Sequence, residues 1–185
     1  HTTYLTVADR DGMMVSLISS LFDGFGSALV PDGLGFALQS RAAGFSLVEG
    51  HPNAWGPGKR PLHTIIPAFV TRDGAPWFSF GVLGGSFQPQ GHVQVLVNLI
   101  DFGMNAQEAG DAPRIAISGG PDPWNPAGGE AHRVHVEPGI DESVVEALRA
   151  RGHDVRRGGT FFGGYNGIRR DPATGCYEAA SEMRL

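Results

Sequence analysis

Two threonines, Thr2 and Thr3, stand at the head of a strand-like run that continues through Tyr4, Leu5, Thr6 and Val7. A threonine hydroxyl is a weak nucleophile unless a base lies beside it. A threonine freed at its amino side carries that base itself, because its α-amine is no longer an amide. The chain starts at His1 with no methionine, so one expectation is a catalytic piece cut from a longer precursor. The other is an arbitrary boundary ahead of two ordinary strand threonines. A second candidate is Gly81-Val82-Leu83-Gly84-Gly85-Ser86, between a predicted strand and a predicted helix. Paired glycines let backbone N–H groups face a cavity, and at a helix start those donors suit an anion, such as the oxyanion of acyl transfer. The same run also suits a turn that lets strand and helix pack closely. A third candidate is His63-Thr64, two polar residues inside the apolar stretch Leu62–Pro67. They either line a pocket or end a strand with local hydrogen bonds.

Other chemistries find little footing. The Gly84-Gly85 run lacks the Lys-Ser/Thr of a phosphate-binding P-loop. His132 and His135 hint at a metal, but residues three apart on a strand point to opposite faces, so no metal or cofactor is expected. The lone Cys176 cannot form an internal disulfide, and no thiol-activating motif surrounds it. A net charge of −5 without a basic cluster argues against nucleic acid. No apolar run approaches the roughly 20 residues of a membrane span. Arg114, after Ala112-Pro113, could anchor a loop or a partner subunit, and Asp101 is most simply a solvated or capping acid.

The elements that must position these groups are short. With 185 residues, 41% of them hydrophobic, the chain suffices for one domain, residues 1–185, with a sizeable core. Its 28 glycines and 13 prolines, glycine at roughly double its usual share, punctuate it into many turns. Residues 3–9 and 13–21 read as a hairpin about Arg10-Asp11-Gly12. Short strands are predicted near 28–30 and 34–39, and a Gly/Pro-rich loop over 49–61. A second hairpin joins 63–71 to 76–82. Val93, Leu96, Val97 and Ile100 mark one face of a helix over 90–102. Asn105 to Glu108 resembles a capping box before a short helix that stops ahead of Pro113. A second long helix starts at Asp141, stapled by Ile140 and Val145, and closes at Gly152. Strands follow at 153–157, 165–170 and 176–180. Strands, helices, then a helix and strands again suit an α+β layered fold.

Taken in order, the pieces resemble the small subunit of the γ-glutamyltransferase (γ-glutamyltranspeptidase) family of N-terminal-nucleophile hydrolases. The resemblance is carried by Thr2-Thr3 before Val7 to Gly12, by Phe25-Gly26-Ser27, and by Gly58 to Leu62. It continues through Gly81 to Ser86, Asp101-Phe102-Gly103 and Ala112-Pro113-Arg114. It is weakest after residue 115. It implies a precursor that cleaves itself into a large and a small subunit, with this chain as the small one. It also implies a four-layer αββα fold. Thr2 aligns with the nucleophile, Ser20 with a hydroxyl residue that hydrogen-bonds it, and Gly84 and Gly85 with the oxyanion-hole glycines. Thr3 would support the site by position. An arginine for the substrate carboxylate is expected on the large subunit.

Three departures bear on substrate. His63-Thr64 replaces a Ser-Ser pair that grips the donor's α-carboxylate. Gly44 replaces an acidic residue that meets its α-ammonium, and Phe22 replaces an Asn. Losing a buried charge partner costs several kcal/mol toward a zwitterionic donor. The resemblance therefore implies hydrolysis of γ-glutamyl-like or other small N-acyl amides, nearer to the cephalosporin and glutaryl acylases, without cofactor and with the large subunit as obligate partner. A silent, unprocessed homologue serving as a binding or scaffold protein is the rival from another class, and a standard γ-glutamyltransferase is the third reading. His1 stands where the threonine should lead, so His1–Thr2 is expected to be the processing bond.

Overall fold

The computed structural model describes residues 2–121 and 129–184. Strand β1 (Thr2–Ala8) pairs antiparallel with β2 (Met14–Ser20), with Thr2 opposite Ser20 and Leu5 opposite Leu17. The predicted turn forms: the Asp9 carboxylate accepts the N–H groups of Asp11 (2.9 Å) and Met13 (3.0 Å), and Gly12 takes a φ of 92°. Strand alternation gives the hairpin an inverted character. Its inner face carries Thr2, Tyr4, Thr6, Ser16 and Ser20, while Leu5, Val7, Val15 and Leu17 stand exposed on the other.

The inner face lies on a four-stranded antiparallel sheet of β3 (Ala68–Arg72), β4 (Ala75–Leu83), β8 (Gly164–Arg170) and β9 (Tyr177–Ser181), in the order β3-β4-β8-β9. The β3–β4 turn is Asp73-Gly74, both at positive φ (53° and 79°), the two-residue geometry that matches strand twist. β4 sorts its side chains by layer. Ser79 and Gly81 face the hairpin, where Thr6 bonds Ser79 and the Tyr4 ring lies over Gly81. Phe78, Phe80 and Val82 face α1 (Gln88–Ile100) and α2 (Ala106–Asp111) and are fully buried. Hairpin, sheet and helices thus stack as β, β and α, the part of the expected αββα architecture that this chain supplies.

Helix α1 turns a different face inward from the one its apolar spacing predicts. Gln88, Gly91, His92, Val95 and Leu99 are buried, whereas Val93 and Ile100 are exposed. Backbone chemistry decides this. β3 begins opposite Phe80, so β4 runs on to Leu83 with an open edge. His92 accepts the Val82 N–H there (3.0 Å), and the Gln88 side chain accepts that of Ile66 (3.0 Å). Gly91 leaves room for Val82.

The Asn105–Glu108 capping box forms as read (2.9 Å each way). A third sheet, β5 (Ile115–Pro121), β6 (Gly129–Val136) and β7 (Val155–Arg157), carries α3 (Glu142–Ala150) across its parallel β6–β7 pair. Val136, Val145 and Val155 form its small core, with Ile140 packed against it, as the staple predicts. Asp141 occupies the N-cap position without a side-chain cap bond.

Other expectations shift. β3 starts at Ala68, not at residue 63, because Pro67 has no N–H to give a ladder. No strands form at 28–30 or 34–39. Positive φ at Phe22, Phe25 and Ala28, and at Gly33 and Gly35, bends the chain instead, and the two stretches meet through Ser27 N–H to Leu38 O (2.8 Å) and Leu38 N–H to Leu29 O (2.9 Å). A short 3-10 turn, Arg41–Gly44, follows.

Candidate active site

The end of β1 and the end of β4 meet at one cavity of about 550 Å³. Thr2, Thr3 and Tyr4 form one wall. Leu83, Gly84 and Gly85 form the opposite one, and Phe22, Thr64, Phe161 and Asn166 complete the lining. The packing of Tyr4 over Gly81 sets this juxtaposition, because it fixes the hairpin's position along β4.

The Thr2 hydroxyl donates to Ser20 Oγ at 2.9 Å, a contact dictated by the register that puts the two residues opposite each other. Ser20 Oγ also accepts the Phe22 N–H (3.0 Å) and Arg41 Nη2–H (2.9 Å). Three donors therefore share an oxygen with two lone pairs. Arg41 Nη1 donates to Thr64 Oγ1 (3.2 Å), and the guanidinium lies 4.9 Å from the centre of the Phe22 ring. Arg41 is 7% exposed, its Nε has no hydrogen-bond partner, and burial holds its pKa below the ordinary arginine value. An arginine so placed stays charged at neutral pH.

The glycine pair closes the other side. Gly84 (φ 147°) follows β4 and caps the helical turn Gly85–Phe87 that leads into α1. The first N–H groups of such a turn have no intrahelical acceptor. A side chain on Gly84 would press on Gly163, while one on Gly85 (φ 59°) would meet nothing within 4 Å and project into open space.

Of the residues singled out in the sequence, Thr2, Thr64, Gly84 and Gly85 share the cavity, Thr3 lines it, and Ser20 stands directly behind Thr2. His63 and Gly44 do not line it. His63 is exposed, and the Gly44 carbonyl accepts Asn53 Nδ2 (2.6 Å). His1, and with it the His1–Thr2 bond, lies outside the described residues. His135 is occupied elsewhere, by Ser118 at Nε2 (2.9 Å) and the Gly158 carbonyl at Nδ1 (2.8 Å). Among the described residues no group of three or more His, Cys, Asp or Glu side chains could hold a metal ion. Arg114 is an internal anchor. At 1% exposed it pairs with Glu182 (2.7 Å) and donates to the Phe162 (2.8 Å) and Gly110 (3.0 Å) carbonyls.

Sequence reasoning missed Arg41, Asn166 and Phe161. For Arg41 a signal existed: it is the single cation between Arg10 and Lys59. Nothing local distinguishes Asn166 or Phe161, which reach the cavity through strand pairing and a loop.

The sequence matches the family described as gamma-glutamyltranspeptidase over residues 1–185. It is 36% identical to a glutathione hydrolase-like YwrD proenzyme of Bacillus subtilis over 161 residues, 86% of this chain and 29% of that protein. The fold is similar to a cephalosporin acylase from Bacillus halodurans (TM-score 0.85, 45% identity), covering 98% of this chain and 32% of that one. It is also similar to a Helicobacter pylori gamma-glutamyltranspeptidase chain (TM-score 0.82, 29% identity), covering 99% of this chain and all of that one. The chain thus spans about a third or less of the length of the curated relatives it matches.

Proposed function

The chain belongs to the gamma-glutamyltranspeptidase family, and on that premise we propose that it is the nucleophile-bearing part of an autoprocessed enzyme that hydrolyses γ-glutamyl-like or other small N-acyl amides. The observation that carries the reading is the meeting of Thr2, backed by Ser20, with the Gly84-Gly85 turn across one cavity.

Maturation comes first. Thr2 Oγ attacks the carbonyl carbon of His1, the acyl group shifts from nitrogen to oxygen, and water cleaves the ester. The cut frees the Thr2 α-amine as a base.

In turnover that amine takes the Thr2 hydroxyl proton as Oγ bonds to the substrate's amide carbon. The Phe22 N–H and Arg41 then fill the lone pairs of Ser20, whose own hydrogen can turn to Thr2 Oγ as that oxygen loses its proton. The carbonyl oxygen gains negative charge and sits against the N–H groups of the glycine turn. The protonated α-amine gives its proton to the leaving nitrogen, the C–N bond breaks, and an ester on Thr2 remains. Water, deprotonated by the same amine, attacks the ester and releases the acid. Thr2 Oγ recovers its proton, and the site returns to its starting state.

The rest of the precursor is the proposed partner. The exposed row of Leu5, Val7, Val15 and Leu17 supports this, since an apolar sheet face needs a cover. Names of relatives, an acylase proenzyme and an oxamate amidohydrolase proenzyme among them, support amide hydrolysis as the class.

The test is the full precursor with and without Thr2→Ala. Mass spectrometry should find two fragments for the unaltered protein and one for the variant. Release of p-nitroaniline from γ-glutamyl and glutaryl anilides should vanish in the variant. An uncleaved but fully active protein would overturn the reading.

A further inference from the structure

The glycine turn across the cavity from Thr2 has no side-chain bond of its own. Gly84 caps the turn Gly85–Phe87 without one, and Phe87 at the start of α1 has none either. Glycines at φ 147° and 59° add no stiffness. A turn of this kind stays where its flanks put it, and one helix grips both flanks. On the entering side, His92 Nε2 accepts the N–H of Val82 (3.0 Å), the neighbour of Leu83 in the cavity wall. On the far side, Gln88 Oε1 accepts the N–H of Ile66 (3.0 Å), two residues beyond Thr64 in the other wall. The two acceptors stand four residues apart, hence on one face of α1, and are 8% and 0% exposed. The helix keeps these polar groups inside while Val93 and Ile100 stand exposed, the reverse of what apolar burial alone would choose.

We propose that Gln88 and His92 are positioning residues, a two-point clamp that sets the gap between the Thr64 wall and the glycine turn and so places the oxyanion donors against the substrate carbonyl. This rests on the proposed hydrolase reading and says what holds its geometry. The clamp is stiff at its His92 end. The His92 ring meets the Phe80 ring edge to face (5.1 Å between centres), and Gly91 lets the helix close onto Val82 and Phe87, where a methyl group would clash. Taking away the His92 acceptor leaves the Val82 N–H buried and unpaired, and the strand end must move to satisfy it. Oxyanion donors work only over a narrow range of distance, and a displacement of about 1 Å can cost about a hundredfold in rate. Ground-state binding depends far less on that distance, so the loss falls on kcat rather than on KM.

The self-processed full protein and its variants are assayed on γ-glutamyl and glutaryl p-nitroanilides, with kcat expressed per processed, folded molecule from fragment masses and melting curves. His92→Leu should lower kcat about tenfold or more on the anilide that the unaltered protein turns over, with KM within about twofold. His92→Gln, which offers Val82 an acceptor again, should recover most of that loss. Gln88→Leu, at the opposite wall, should give the same split between kcat and KM. A role limited to holding the fold would lower the folded fraction and leave kcat per folded molecule unchanged, and that result would overturn the clamp alone. Should both variants without an acceptor fail to fold, amide exchange in the unaltered protein decides. The Val82 and Ile66 amides should exchange at least about a hundredfold more slowly than those of exposed loops, and fast exchange at either would refute the clamp. Absence of turnover in the unaltered, processed protein sinks the underlying hydrolase reading, and the positioning role with it.

Discussion

Val82 donates its backbone N–H to Nε2 of His92 across 3.0 Å, and that bond exists only while this nitrogen is unprotonated. Burial, with the positive charge of Arg114 adding to it, lowers the His92 pKa to about 4. The unfolded chain protonates this histidine near 6.5, so between the two values it binds more protons than the folded one. Stability from His92 is therefore complete above pH 6.5 and lost as pH falls toward 4, on the order of 3 kcal/mol in all. Unfolding temperatures measured from pH 7.5 to 4 should drop over this window. His92→Gln should flatten that part of the curve.

Two glycines of the same strand end should respond in opposite ways. Gly81→Ala drives a methyl group into the Tyr4 ring and displaces the hairpin, costing about 1–3 kcal/mol of stability and much of the activity. Gly85→Ala meets no neighbour, although its φ of 59° adds strain of roughly 1 kcal/mol, and its methyl group enters the cavity. Its melting curve should move little while turnover collapses. A pair of melting curves beside a pair of rate measurements checks both.

Ser20→Ala removes the acceptor shared by the Thr2 hydroxyl, the Phe22 N–H and Arg41. A hydrogen bond to a group developing charge is worth about 1.5–3 kcal/mol, so kcat should fall roughly tenfold to a hundredfold. KM should change little, and Ser20→Thr should restore most of the loss. A fall in KM equal to that in kcat would argue against a role in activating Thr2.

The internal anchor makes a thermodynamic prediction. Arg114→Met takes from the buried Glu182 carboxylate one of its two arginine partners, leaving Arg184 and the Tyr165 N–H, and should cost about 1.5–3 kcal/mol. Adding Glu182→Leu should not recover that cost, because it takes the acceptor of the buried Tyr165 N–H and leaves Arg184 with Glu137 alone. Denaturant unfolding of the four-member cycle measures the coupling.

The elements built on local chemistry were legible in the sequence. The Asp9–Gly12 and Asp73-Gly74 turns, the Asn105–Glu108 capping box and the α3 staple each need only neighbours along the chain. The inward face of α1 was not legible, because His92 is drawn in by an N–H that the open edge of β4 leaves unpaired and Gln88 by the N–H of Ile66 in the segment ahead of β3, both tertiary facts. β5 was also missed, and β6 entered the reading only as the strand carrying His132 and His135. Their apolar alternation is short, Ile115 and Ile117 in one and Val134 and Val136 in the other, before glycine and polar residues take over. Within the cavity, Thr2, Gly84 and Gly85 follow from a threonine at a strand head and a glycine pair ahead of a helix, whereas Ser20 is implied only by the family resemblance. Arg41 lies 21 residues beyond Ser20 and reaches it only because the intervening chain folds back through residues at positive φ.

Thr2 is held by its ladder partner on β2 and by the seating of Tyr4. On the proposed maturation, a cut ahead of Thr2 leaves these contacts in place, because none of them passes through the bond that breaks. On that reading one scaffold serves both the scission and the turnover, and evolution can tune one only by touching the other.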